Sequence, residues 1–300
     1  MDRPVVQTEI HDRIAAIPAA EWDALHDGSN PFVCHAFLRT LEATGCIGAG
    51  TGWMGHYITL RDPHGLLAAA PAYLKTHSYG EFVFDFGWSQ AYQRLGLPYY
   101  PKLVIGIPFT PATGPRLLVR RGPDVEDSRS QLLGAIRAAV DSLRLSSAHL
   151  LFANDADIAA ARAAGFLVRS DCQFLWRNAG WRSFDEYLAS FTAEKRKKTR
   201  RERRRVLDAG VHLETRRGHE LTPTELRQVY ALLQRTFRQR GMEPYISAEF
   251  LSAIAGELRE RMMLQLARRD GRLIAAAVFF VGAQCLFGRY WGAIEAVHSL

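Results

Sequence analysis

The chain has 300 residues, 48% apolar and 23% charged, a globular composition about two domains long that excludes a disordered chain. Its net charge is +7, but nine cations lie between Lys195 and Arg205 against one acid, Glu202, and the remainder holds 29 basic and 30 acidic residues. That excludes a generally basic, histone-like or ribosomal protein and puts the charge question on one segment. Cys34, Cys46, Cys172 and Cys285 show no metal-ligand spacing and are too few for a disulfide scaffold, so buried free thiols and no metal site are expected. The N-terminus lacks the apolar stretch of a signal peptide. The longest clean apolar run, Leu273 to Val281, is nine residues, against the roughly 20 that a membrane-spanning helix needs. A cytoplasmic protein without a transmembrane segment is expected, with peripheral attachment at the inner membrane surface left open.

The chain opens with two predicted helices. One follows Pro18. The other carries Val33, Phe37, Leu38 and Leu41 on one face and ends near Gly45. Two strand-like stretches follow, WMGHYITL and LLAAAPAYLK, joined by a turn at Arg61 to Gly65. Tyr73 to Pro115 is dense in Tyr, Trp, Gly and Pro, which predicts strands and structured loops. After Asp124 the pattern alternates: a helix through SRSQLLGAIRAAVDSLRL, a strand at AHLLFA, a helix closed by Gly165, then strands at FLVRS and CQFLWRN. This order predicts a mixed α/β domain.

A second unit starts near Gly180. Ser183 and Glu186 read as a capping box, and the basic helix, 193–209, follows. VHLETR is a strand. Thr222 and Glu225, with Pro223 at the first helical position, read as another capping box. A further helix (SAEFLSAIAGELRE) precedes three antiparallel strands, with turns at Asp270-Gly271 and Gly282-Ala283. The two units share an element order and read as diverged copies of one α/β module, 1–179 and 180–300. The second is expected to be truncated at its C-terminus, or completed by another chain.

Three runs carry a family resemblance: Pro71 to Leu118, Lys195 to Val206 (KRKKTRRERRRV) and Phe287 to Ala293 (FGRYWGA). With them the chain resembles the FemAB-like peptidoglycan biosynthesis/recognition family, which is similar to Fem aminoacyl transferases and to the GNAT acyltransferase superfamily. The resemblance implies tandem GNAT-like modules and N-acyl or aminoacyl transfer to an amine of a cell-wall precursor. It also places Arg289, Tyr290 and Trp291 at a substrate-binding position. The chain departs from the family pattern at Lys198-Thr199 and at Leu175.

Transfer to an amine needs a deprotonated amine, donors for the oxyanion and two substrates held together. Lys75, His77, Ser78, Tyr79, Glu81 and Asp85 fall within eleven residues around Gly80. Strand spacing would put Lys75 and His77 on one face. Glu81, Asp85 and His77 are the expected general bases and orienting groups. Trp88, Tyr92, Tyr99 and Tyr100, with Lys102, suit a sugar or peptide stem, or a core. Thr110 and Thr113 sit in a proline-rich loop whose backbone is a further candidate contact. Tyr245, between two helices of the second unit, is an expected acceptor contact.

The basic helix has no apolar residue from Lys195 to Arg205, so core packing does not hold it. Lys195, Arg196, Lys197, Lys198, Arg200, Arg201 and Arg204 are the expected phosphate contacts. Their partner would be a phosphate-bearing small molecule or lipid-linked substrate, a tRNA backbone or an anionic membrane. No aromatic interrupts the run, so base stacking is not expected. No glycine-rich pyrophosphate loop precedes a helix. No bound cofactor is expected, and the acyl donor is aminoacyl-tRNA or an acyl-CoA. Two other readings remain: a non-catalytic peptidoglycan or anionic-ligand recognition protein, and an acetyl-CoA-dependent N-acetyltransferase.

Overall fold

The computed structural model describes residues 5–294. The expected truncation near Leu300 lies outside them. In chain order the first elements are β1 (Gln7–His11), α1 (Ala19–Asp23) and α2 (His35–Ala43). α2 buries Phe37, Leu38 and Leu41, and Gly45, at φ +68°, closes it as read from the sequence. Next come β2 (Trp53–Gly55), β3 (Tyr57–Asp62), β4 (Gly65–Ala70) and β5 (Ala72–Lys75).

The two stretches read as single strands each divide between two sheets. The breaks fall at His56 and Pro71, and the His56 amide donates to Ala72 O at 2.8 Å. Proline has no amide hydrogen for a ladder, which makes Pro71 a natural crossing point.

α3 (Phe86–Arg94), β6 (Lys102–Ile105) and β7 (Leu118–Val119) occupy the aromatic-rich segment, so it contains a helix as well as strands and loops. α4 (Val125–Ser142), β8 (Ala148–Leu150) and α5 (Asp155–Ala163) follow as expected, with Gly165 at φ +82° after α5. Residues 166–178 form no strand, contrary to the reading of FLVRS and CQFLWRN. Leu167 and Phe174 are fully exposed, and no backbone ladder forms there. Period-2 apolarity specifies a strand only where a sheet edge receives it. Here the Gln173 side chain anchors the segment instead, donating to Pro111 O at 2.6 Å.

α6 (Phe184–Ala189) is capped by Ser183, which accepts from the Glu186 amide. The return bond of the expected box is displaced by one residue, because Glu186 Oε2 accepts from the Arg182 amide at 2.8 Å. α7 (Ala193–Asp208) is the basic helix, and β9 (Val211–Arg217) follows. α8 (Pro223–Gln239) starts with the complete Thr222–Glu225 capping box and Pro223 in its first turn. α9 (Ala248–Glu257) precedes β10 (Met262–Arg269), β11 (Arg272–Val281) and β12 (Leu286–Ala293). Asp270 and Gly271 turn the β10–β11 hairpin at φ +51° and +75°, the left-handed pair that a tight hairpin requires. The β11–β12 connection is longer than the expected two-residue turn and closes with the Gly282 amide on Cys285 O.

The described residues form three sheets, in a mixed α/β fold. The order β1-β3-β4-β7 is antiparallel, β2-β5-β6-β8 has β6 parallel to β8, and β12-β11-β10-β9 is antiparallel. The largest apolar core draws on both ends of the chain. Trp22, Phe32, Phe37 and Trp53 belong to the same cluster as Val229, Phe250, Leu264 and Phe280. Phe32 meets Phe280 edge-on at 5.3 Å, and Phe37 meets Phe250 at 5.7 Å.

Candidate active site

β5 ends at Lys75, so the strand face expected to carry both Lys75 and His77 stops before His77. The His77 ring instead lies over Gly52, where a Cβ would come within 2.1 Å of its Nε2, and meets Tyr79 at 5.4 Å. Lys75 is completely buried. Its ammonium sits 3.9 Å from the Trp53 ring centroid and donates to Tyr79 O at 3.3 Å.

The next strand, β6, supplies Lys102, also completely buried. Its Nζ donates to Glu81 Oε2 at 2.9 Å, Asp85 Oδ2 at 2.5 Å and Ser78 Oγ at 3.0 Å. Tyr99 OH donates to Asp85 Oδ2 at 2.6 Å, and Ser78 Oγ and Tyr100 OH share a bond at 2.7 Å. Seven of the residues singled out in the sequence therefore form one buried polar cluster: Lys75, Ser78, Glu81, Asp85, Tyr99, Tyr100 and Lys102. Glu81 Oε1 and Asp85 Oδ1 are buried in it without a hydrogen-bond partner.

The environment drives these groups apart. Burial would raise Asp85, but hydrogen bonds from Lys102, Ser78 and Tyr99 outweigh it and hold the carboxyl at about 2. Burial raises Glu81 against the pull of Lys102. Burial lowers Lys75 to about 7, opposed by the nearby Glu81 charge. His149, against Ser147 and the Tyr99 ring, is lowered to about 4 by burial and by Lys102. An ionised carboxylate, a carboxyl pushed up and an amine near neutrality, all in one enclosure, are the ingredients of proton transfer.

Phe109 joins this cluster to Tyr245 and Arg289 of the C-terminal part of the chain, where the sequence points to Thr110 and Thr113 instead. Its amide donates to Gly80 O at 3.2 Å. Gly80 is at φ +80°, and a Cβ there would fall 2.6 Å from the Phe109 ring. Tyr245 stacks on Phe109 with centroids 5.5 Å apart and planes 12° apart, and also meets Phe82 at 5.5 Å. Arg289, on β12, donates to Phe109 O. Phe82, Phe84 and Phe109 have φ of +62°, +43° and +58°. Each such conformation costs about 1–3 kcal/mol in a non-glycine residue, and such outliers gather at functional sites. The only local sign of Phe109 in the sequence is its place between Pro108 and Pro111.

Other expected residues fall outside this arrangement. Trp88 is 59% exposed on α3. Thr110 is buried and donates to Pro108 O, and Thr113 donates to Gln173 Oε1 at 3.3 Å. Tyr290 packs against the core, and burial raises its hydroxyl, whereas Trp291 follows it in the strand and is half exposed.

The basic helix stands apart from the cluster. α7 packs on β9, the outer strand opposite β12 in the same sheet, about 14 Å away at strand spacing. Val206 is its one buried residue. Arg196 is half buried, and Lys195, Lys197, Lys198, Arg200, Arg201 and Arg204 are exposed.

One trio outside the site, Asp23, His26 and Cys34, brings possible metal-ligand atoms within 4.8 Å of one another. His26 Nδ1 accepts the Gly28 amide at 3.0 Å and its Nε2 faces Asp23 at 3.1 Å, so both ring nitrogens are engaged. Arg261 Nη1 lies 3.6 Å from Cys34 Sγ. A metal there would compete with these bonds for its ligands and sit beside the Arg261 guanidinium.

Among the described residues no helix is long and apolar enough to cross a membrane. No curated protein matches the chain. The model of the FemAB-like family, described as peptidoglycan biosynthesis/recognition, matches residues 13–300, which takes in the Gly80–Phe109 junction, the basic helix and β12. The chain belongs to the FemAB-like family.

Proposed function

We propose that the protein is a Fem-like N-acyl or aminoacyl transferase built from tandem GNAT-like modules and acting on an amine of a cell-wall precursor. The observation that supports this most is the convergence on Phe109. Tyr245 and Arg289, both from the 180–300 part of the chain, meet Phe109, whose amide donates to Gly80 O beside the Lys102–Glu81–Asp85 cluster. Transfer between two bulky substrates needs a junction of this kind, where two units each hold one partner. Glu81 is the favoured proton acceptor because burial has already raised it, and Asp85 orients Lys102.

The outward cations of α7 bind phosphate, from a nucleotide- or lipid-linked precursor or a tRNA backbone, at a surface separate from the cluster. A cytoplasmic location, at the inner membrane surface, fits such substrates.

The test is incubation with charged tRNA and nucleotide- or lipid-linked muropeptide, read by mass spectrometry. The expected result is a gain of one aminoacyl residue on the muropeptide. An acyl-CoA arm distinguishes the donor. No transfer from any donor, with muropeptide binding retained, would establish the second reading, a recognition protein. That reading is favoured by one observation: the Glu81 and Lys102 side chains are both wholly buried.

A further inference from the structure

α3 exposes apolar as well as polar side chains. Its half-buried positions are Ser89 and Tyr92, whereas Phe86, Trp88, Gln90, Ala91, Gln93, Arg94 and Leu95 are exposed. Trp88, Ala91 and Leu95 are three and four residues apart and form one stripe. Phe84 before the helix and Leu97 after it extend the surface, at 71% and 53% exposure. No residue of α3 is buried, and no other described helix or strand packs closely against it. Single exposed apolar residues are ordinary, but five large ones between Phe84 and Leu97, three of them aromatic, are not. Residues 86–123 contain no Asp or Glu, and Arg94 sits in the last turn of the helix.

We infer that this segment is a membrane-insertion element: Phe84, Trp88, Leu95 and Leu97 enter the headgroup boundary of a lipid bilayer and dock the protein peripherally. A projecting apolar tip buries its side chains in lipid without needing a complementary cavity. Indole and phenyl rings favour that depth. The acid-free stretch avoids repulsion from anionic headgroups, and Arg94 is placed to meet them. The inference goes beyond the transferase reading and holds whether or not transfer occurs. It is also independent of the basic helix, which would act through charge alone.

The experiment is sedimentation of the full chain with phosphatidylcholine vesicles, and with vesicles also containing phosphatidylglycerol, at low and high salt. Binding to both should persist at high salt, where the contribution of α7 is screened. Trp88→Ser combined with Leu95→Ser should lower the bound fraction about tenfold. Trp88→Phe should retain most of the binding. Both changes are at exposed positions, and circular dichroism verifies that the variants fold. Wild-type protein remaining unbound to both vesicle types would overturn the inference, as would a double variant that binds like the wild type. A double variant that turns a dimer into a monomer by light scattering would assign the patch to a second copy and overturn it equally.

Discussion

Replacing Lys102 by methionine isolates the energetics of the buried cluster. The substitution keeps most of the side-chain volume and removes the ammonium that Glu81, Asp85 and Ser78 surround. Lys102 and Glu81 side chains are wholly buried and Asp85 nearly so, so solvent cannot replace the lost charge. Breaking such a pair costs about 3–5 kcal/mol, mostly the penalty of an uncompensated carboxylate. Urea unfolding at pH 7, followed by fluorescence, should show a loss of that size.

The pH profile supplies an internal check. In the wild type Asp85 is depressed from 3.8 to about 2, so its stabilisation is complete above 3.8 and is lost as pH falls through about 2. Without Lys102 nothing of comparable strength opposes the burial that raises Glu81, and acid should then relieve the variant rather than harm it. Adding Glu81→Gln and Asp85→Asn to Lys102→Met should recover most of the loss at pH 7. A single-variant loss under about 1 kcal/mol would refute the reasoning, because it is the value of a solvated surface pair.

Lys75 is lowered from 10.5 to about 7, so the unfolded chain binds more protons between those values and stability should rise with pH above 7. Lys75→Met should flatten that rise between about pH 7 and 8.5 in thermal melts. Gly80→Ala must hold a positive φ with its Cβ against the Phe109 ring, and should cost about 1–3 kcal/mol in chemical denaturation. Thr222→Ala removes a complete capping box far from the site and should cost about 1 kcal/mol with no effect on ligand binding, which calorimetry and titration would check. Alanine at Lys197, Lys198, Arg200, Arg201 and Arg204 should leave the melting temperature nearly unchanged, since Val206 alone anchors α7 in the core. The same variant should lower the salt slope of duplex binding by about 0.9 per lost phosphate contact.

Much of the C-terminal part of the chain was legible because local signals agreed with one another. Thr222, Pro223 and Glu225 start α8, Asp270-Gly271 turns a hairpin, and an uninterrupted apolar run fills β11. Members of the site were legible as a dense polar stretch around Gly80, and Lys102 as a nearby cation. Their assembly was not, because it depends on β5 pairing with β6, which sets Lys75 opposite Lys102. Phe109 escaped notice because a lone phenylalanine among prolines carries no periodic signal. FLVRS and CQFLWRN misled because alternation alone does not supply a pairing partner. Two continuous strands were read where the chain switches sheets, since register across His56 and Pro71 is a tertiary decision.

The shared core bears on how the chain tolerates being cut. Residues 167–178 are exposed and outside every ladder, so they are the natural place for a protease to enter. Cleavage there would leave the Phe32–Phe280 and Phe37–Phe250 contacts, the Tyr245 stack on Phe109 and the Arg289 bond to its carbonyl intact. The two pieces should stay associated and migrate together until denatured. The same break is a site at which the protein could be produced as two complementing chains, each needing the other to cover its apolar face.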